Sequence, residues 1–83
     1  MSVVYMKQLI ETIVQALVDH PEEVFVTNIE DERTIIYEVS VHEEDIGKVI
    51  GKQGRTIHAI RTVVYAAAVK QPKRVIVQVK EKG

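Results

Sequence analysis

The residues best placed to do chemistry are the run Gly51-Lys52-Gln53-Gly54, with Lys48 and Arg55 beside it and Ile50 and Ile57 outside it. Glycine inside a helix is unfavourable, so a glycine pair three apart predicts a sharp break between two helices. A helix that restarts at the break presents unbonded N–H groups and the positive end of its dipole. Gly51 and Gly54 put no side chain in the way of an approaching phosphate, and Lys48, Lys52 and Arg55 add positive charge. The pattern describes an anion-binding loop. A nucleotide-binding P-loop is excluded, because Lys52 is followed by Gln53 rather than Ser or Thr and no glycine stands at position 46.

Other reactive types carry less. The chain has no cysteine, hence no disulfide and no thiolate metal site. Glu43-Glu44-Asp45 could be an acid pair for catalysis, but acids at a helix start suit its dipole. His20 reads as a helix-end residue. His42 and His58 stand far apart in sequence with no acidic metal constellation, so no metal and no cofactor is expected. No Ser-His-Asp or Cys-His arrangement supports an enzyme.

The net charge of −1 conceals an asymmetry. Residues 1–45 carry eleven acids against two bases, and residues 46–83 carry nine bases against one acid. An anionic partner at a basic site accounts for this; the alternative is that the halves interleave in space and neutralise each other.

These residues need elements to hold them. Met6, Leu9, Ile10, Ile13 and Leu17 follow helical spacing over about 3–19, and His20-Pro21 is expected to end that helix. Residues 24–29 read as a strand, 30–33 as a polar turn and 35–41 as a second strand, close enough to form an antiparallel hairpin. A short helix over 43–50, the glycine break and a long helix over 55–69 follow. Gln71-Pro72 stops the long helix, and 74–80 alternates as a third strand. The order is α-β-β-α-α-β in one domain spanning 1–83, with 80–83 a fraying tail. The two-helix crossover can lay strand three parallel to strand two. The fold class is α+β, with three helices on one face of a three-stranded sheet and a more polar opposite face. Lys7, Gln8 and Glu11 interrupt any signal-like apolar run, no stretch reaches a membrane span, and a cytoplasmic location is expected.

The stretch Val49-Ile50-Gly51-Lys52-Gln53-Gly54-Arg55-Thr56-Ile57 resembles the core of a KH domain, whose GxxG loop clamps the backbone of about four nucleotides. The element order resembles the type II form. Residues 16–24, read ALVDHPEEV, and 45–56, read DIGKVIGKQGRT, are similar to the small stand-alone bacterial KH proteins of the KhpA (YlqC-like) family. The resemblance covers essentially the whole chain. The acidic turn Glu30-Asp31-Glu32 departs from it, where a glycine-containing turn would be expected.

The resemblance implies single-stranded RNA as the partner and an RNA chaperone or post-transcriptional regulator as the role, with involvement in cell shape suggested by relatives. It implies a cleft between the wall 43–55 and the edge of strand three. The site residues would be Lys48, Ile50, Gly51, Lys52, Gln53, Gly54, Arg55 and Ile57, with Lys70, Lys73 and Arg74 from the loop before strand three. Ile46, Val49, Ile50, Ile57 and Val75 or Ile76 would floor it, and bases would bond to backbone groups of the exposed strand. With no aromatic foreseen there, binding is expected to be weak and sequence-tolerant, and specificity must come from the wall at 70–76 or from a second chain. The helix over 55–69 has a second small apolar stripe, Ala59, Val63 and Ala66. It could pack within the domain, or pair with a second copy or a larger KH-containing protein of the Jag type. An interaction subunit whose RNA contacts are secondary is the competing reading.

Overall fold

A computed structural model describes residues 3–80. Helix α1 runs Val3–Gln15, and a 3-10 turn at Pro21–Glu23 leads into strands β1, Phe25–Glu30, and β2, Thr34–Ser40. A second 3-10 turn, Glu43–Asp45, precedes α2, Ile46–Ile50; the turn Lys52–Gly54 joins it to α3, Arg55–Ala67; β3 is Arg74–Val79. The sheet order is β1-β2-β3, with β1 antiparallel and β3 parallel to β2. The expected hairpin, crossover and element order are all present, and the fold is α+β.

Period-2 alternation turns Val26, Ile35, Tyr37, Val39 and Val77 toward the helices, where they meet Met6, Ile10, Val14, Val49, Ile57, Ile60 and Val64 in one buried cluster. Helix α1 stops four residues short of the expected Asp19. Its buried stripe is Met6, Ile10 and Val14, and Leu17 is exposed rather than core. Beyond the helix, the N–H groups of Asp19 and His20 donate to the Asp45 carboxylate at 3.1 and 3.0 Å. Helix α3 likewise ends at Ala67, two residues early.

The acidic hairpin turn needs no glycine. Asp31 Oδ1 accepts from the N–H of both Arg33 and Thr34 at 2.8 Å, a side-chain substitute for a backbone turn. Those two bonds hold its carboxyl below the ordinary 3.8.

The open face of the sheet is less polar than expected. Ile29, Ile36 and Ile76 stand side by side across all three strands, and Ile29 and Phe25 are 60% and 61% exposed. Lys80 N–H donates to Val39 O at 2.7 Å; the rest of the expected fraying tail, 81–83, lies outside the described residues.

Candidate nucleic-acid interface

Helix α2 stops at Gly51, whose φ of 77° and ψ of 173° no other residue type adopts comfortably. Gln53 and Gly54 follow at φ 58° and 74°. A Cβ on Gly51 would sit 2.2 Å from Thr56 Oγ1 and 2.8 Å from Thr56 N; at Gly54 the nearest atom would be 4.0 Å away. Gly51 is therefore required by both backbone and space, whereas Gly54 is only favoured, by its left-handed backbone. The turn closes through Gly54 N–H to Gly51 O at 3.1 Å and Arg55 N–H to Lys52 O. Neither bond uses the N–H of Lys52 or Gln53, which sit on an exposed loop at the head of α3.

The expected site residues divide by partner. Lys48 bonds to Asp19 and lies 3.9 Å from Asp45; the Asp19 bond holds its ammonium pKa above the ordinary 10.5. Lys73 pairs with Glu30 at 3.0 Å. Lys52, Arg55, Lys70 and Arg74 make no ion pair with any described residue. Among the described residues the acidic and basic halves thus pair at two points, and four of the expected site cations are left without an ion pair. Ile57 is buried core, whereas Ile50 is partly exposed beside the loop. Ala59, Val63 and Ala66 are exposed, so the second stripe of α3 packs on nothing within the described chain.

Between α3 and the free edge of β3 runs a groove of about 540 Å3 lined by Arg61, Tyr65, Arg74, Val75, Ile76, Val77 and Gln78. Arg74, Val75 and Ile76 belong to the wall that the resemblance implies; Arg61 and Tyr65 come from α3 and lie outside it. Arg61 Nε donates to Val77 O at 2.9 Å, and Val77 N–H donates to Tyr65 Oη at 3.4 Å. The expectation of an edge strand open to bases is corrected at this residue, and so is the expectation of a cleft without an aromatic. The available signal was the i, i+4 spacing of Arg61 and Tyr65 on one helix face.

By sequence Asp45 is a helix-start acid for α2. It is fully buried and makes no side-chain cap bond to α2. Burial pushes its carboxyl up, but the bonds from Asp19 and His20 and the charges of His20 and Lys48 hold it below the ordinary 3.8.

The sequence gives no sign of a histidine pair, yet His20 meets His42, their rings stacked at 4.1 Å. Glu22, Glu23 and Glu44 lie 3.4–3.8 Å from their nitrogens. Ligand atoms of His20, Glu23 and His42 fall within 4.8 Å of one another. However, His42 Nδ1 accepts from Glu44 N–H at 3.0 Å, which places the neutral ring's proton on Nε2, toward Glu23. A metal at that nitrogen would have to break the turn at Glu43–Asp45, so the geometry favours a histidine pair clamped by carboxylates.

A three-stranded sheet of this topology, with a GxxG turn between its second and third helices and a groove along its last strand, is a type II KH domain. Residues 7–79 match the family described as KhpA/KhpB, KH domain. The chain is 60% identical over 74 residues to the RNA-binding protein KhpA of Clostridium acetobutylicum, covering 89% of this chain and 99% of that one. It is 59% identical to the RNA-binding protein KhpA of Halalkalibacterium halodurans, covering 84% and 92%. In fold it is similar to a variant of Era from Aquifex aeolicus crystallised with GDP·AlF4−, with a TM-score of 0.68 at 16% identity, covering 92% of this chain and 29% of that one. The chain belongs to the KhpA/KhpB family of KH domains. Its relatives are named for RNA binding.

Proposed function

We propose that the protein binds single-stranded RNA, gripping its backbone with the GKQG loop, and acts in the cytoplasm as an RNA chaperone or post-transcriptional regulator. The observation that carries this reading is the loop itself. Three positive-φ positions among four residues, Gly51, Gln53 and Gly54, turn the Lys52 and Gln53 N–H groups away from the turn's own bonds, at the head of a 13-residue helix and beside Lys52 and Arg55, which make no ion pair with a described residue. Such a cradle suits a phosphate. The names of the relatives support the same partner.

The test is RNA affinity of the wild type against the double variant Lys52→Asp, Gln53→Asp, which puts two carboxylates where phosphates would sit. Affinity is expected to fall at least tenfold, since removing one phosphate contact and adding repulsion exceeds about 1.4 kcal/mol. A folded double variant that bound RNA as tightly as wild type would sink the mechanism.

The second reading, an association subunit, is favoured by the exposed stripe Ala59, Val63 and Ala66 on α3 and by a family description that joins KhpA with KhpB. The partner would be a second copy or a larger KH-containing protein of the Jag type. Two linked clefts would raise affinity without any new contact.

A further inference from the structure

Strand β3 forms the edge of the sheet, and its parity decides what that edge offers. Arg74 N–H donates to Arg33 O and Lys80 N–H to Val39 O, so even-numbered residues bond to β2. The odd residues Val75, Val77 and Val79 turn both peptide groups outward. Val77 is the middle one, and α3 has already taken both of its groups, the carbonyl by Arg61 and the N–H by Tyr65.

What remains at this rung is donors. Arg61 uses one of its five N–H groups on Val77; the other four find no acceptor among the described residues, on a side chain that lines the groove. The Tyr65 hydroxyl accepts from Val77 and keeps its own proton to donate, and the residue is 40% exposed. The acceptor a bare edge would offer, Val77 O, is occupied. A base entering here therefore has to supply acceptors. Guanine presents O6 and N7 side by side, the pair a guanidinium meets with two parallel bonds, whereas adenine pairs its N7 with an N6 donor that this rung cannot satisfy.

Resting on the RNA-binding reading above, we infer that Arg61, positioned by Val77 and flanked by Tyr65, is a base-reading residue that selects guanine over adenine at one position of the bound strand. Arg61 stands seven residues after Gly54, about 10 Å along α3 from the loop. That is within the span of a four-nucleotide clamp. The specificity that glycines cannot provide then comes from a helix side chain held against the strand edge, instead of from the strand's backbone.

Fluorescence anisotropy with the full chain tests this, using eight-nucleotide uridine oligomers that carry one central guanine or one central adenine. Wild type is expected to bind the guanine oligomer about fivefold or more tightly, the lower end of bidentate discrimination. Arg61→Lys keeps the charge but loses the planar fork; it should reduce the ratio while leaving the salt dependence of binding unchanged. Arg61→Met should remove the preference and flatten the salt dependence slightly. Equal affinities in wild type, with both oligomers lost in the Lys52→Asp, Gln53→Asp variant, would overturn this inference and leave the RNA reading intact. A guanine preference that survived Arg61→Met would overturn it as well, since the base would then be read by another group. If wild type bound neither oligomer, the RNA reading would fail and this inference with it.

Discussion

Gly51 is the position where one methyl group would disturb the candidate site most. Its φ of 77° alone disfavours any other residue by about 1–2 kcal/mol. A Cβ would in addition press on Thr56 at 2.2 Å, in the first turn of α3. Gly54, at φ 74° and ψ 16°, lies in the milder left-handed helical region that Gln53 beside it also adopts, and it has no neighbour nearer than 4.0 Å. Gly51→Ala is therefore expected to lower stability clearly more than Gly54→Ala, read as the shift in urea midpoint. Equal shifts would mean that the loop relaxes freely and that Thr56 is not a constraint. The glycine pair was visible in the sequence, but the unequal roles of its members were not, because the clash is with a side chain whose direction only the folded turn defines.

Among the elements, the least expected arrangement is the joint made by Asp45. One buried carboxylate ties the end of α1 and the entry to β1 to the start of α2, with Lys48 and Asp19 closing over it. Its depressed pKa sets a sign for the pH dependence. A carboxyl that is more acidic folded than unfolded stabilises above its ordinary pKa, and that contribution is lost as pH falls through the folded value. Asp31 acts in the same direction. On the alkaline side, burial and then the charge of Glu30 raise the pKa of Tyr37 above 10.0, so stability falls once the unfolded tyrosine ionises. Lys48, also raised, loses its contribution as pH rises through its folded value. Asp45→Asn is expected to lower the melting temperature at pH 7, because an amide cannot accept from both Asp19 and His20 as a carboxylate does. It should also reduce the loss of stability between about pH 5 and pH 2. An unchanged acid limb in thermal scans would show that Asp45 is not the group responsible. Ile10, wholly buried in α1, is a conventional core position by contrast: Ile10→Ala should cost about 2–5 kcal/mol in urea denaturation.

At the scale of the molecule, the helices cover one sheet face and leave two apolar surfaces outward, the α3 stripe and the isoleucine row Ile29, Ile36 and Ile76. Val63 is 53% exposed on the first. If α3 mediates association, Val63→Glu should shift the sedimentation coefficient to that of a monomer without lowering the melting temperature by more than a degree or two. A wild type that is monomeric at every concentration would remove the homodimer reading. Charge makes a separate prediction. With Lys48 and Lys73 already paired to acids, the phosphate contacts should rest mainly on Lys52, Arg55, Lys70 and Arg74. The slope of log affinity against log salt should then lie near −3, at about −0.7 per contact on a single strand. A flat response would count against a phosphate-led interface.

Hydrophobic periodicity was enough, from the sequence alone, to establish the order α-β-β-α-α-β, the hairpin and the parallel return. Alternation in 35–41 and 74–79 and helical spacing in 6–14 and 57–64 are local patterns that the folded chain keeps. The loop was equally legible, since glycine preferences belong to single residues and their neighbours. The joint at Asp45, the carboxylate clamp on His20 and His42, and the Arg61–Val77–Tyr65 rung were decided by tertiary structure. The Asp45 bonds span 25 and 26 residues, and the Arg61 bond spans 16. No local spacing encodes such a partner; it follows from which helix face lies over which strand edge. For the same reason the loop before β3 drew attention as the wall of the cleft, while the two side chains that occupy the strand edge come from the middle of α3.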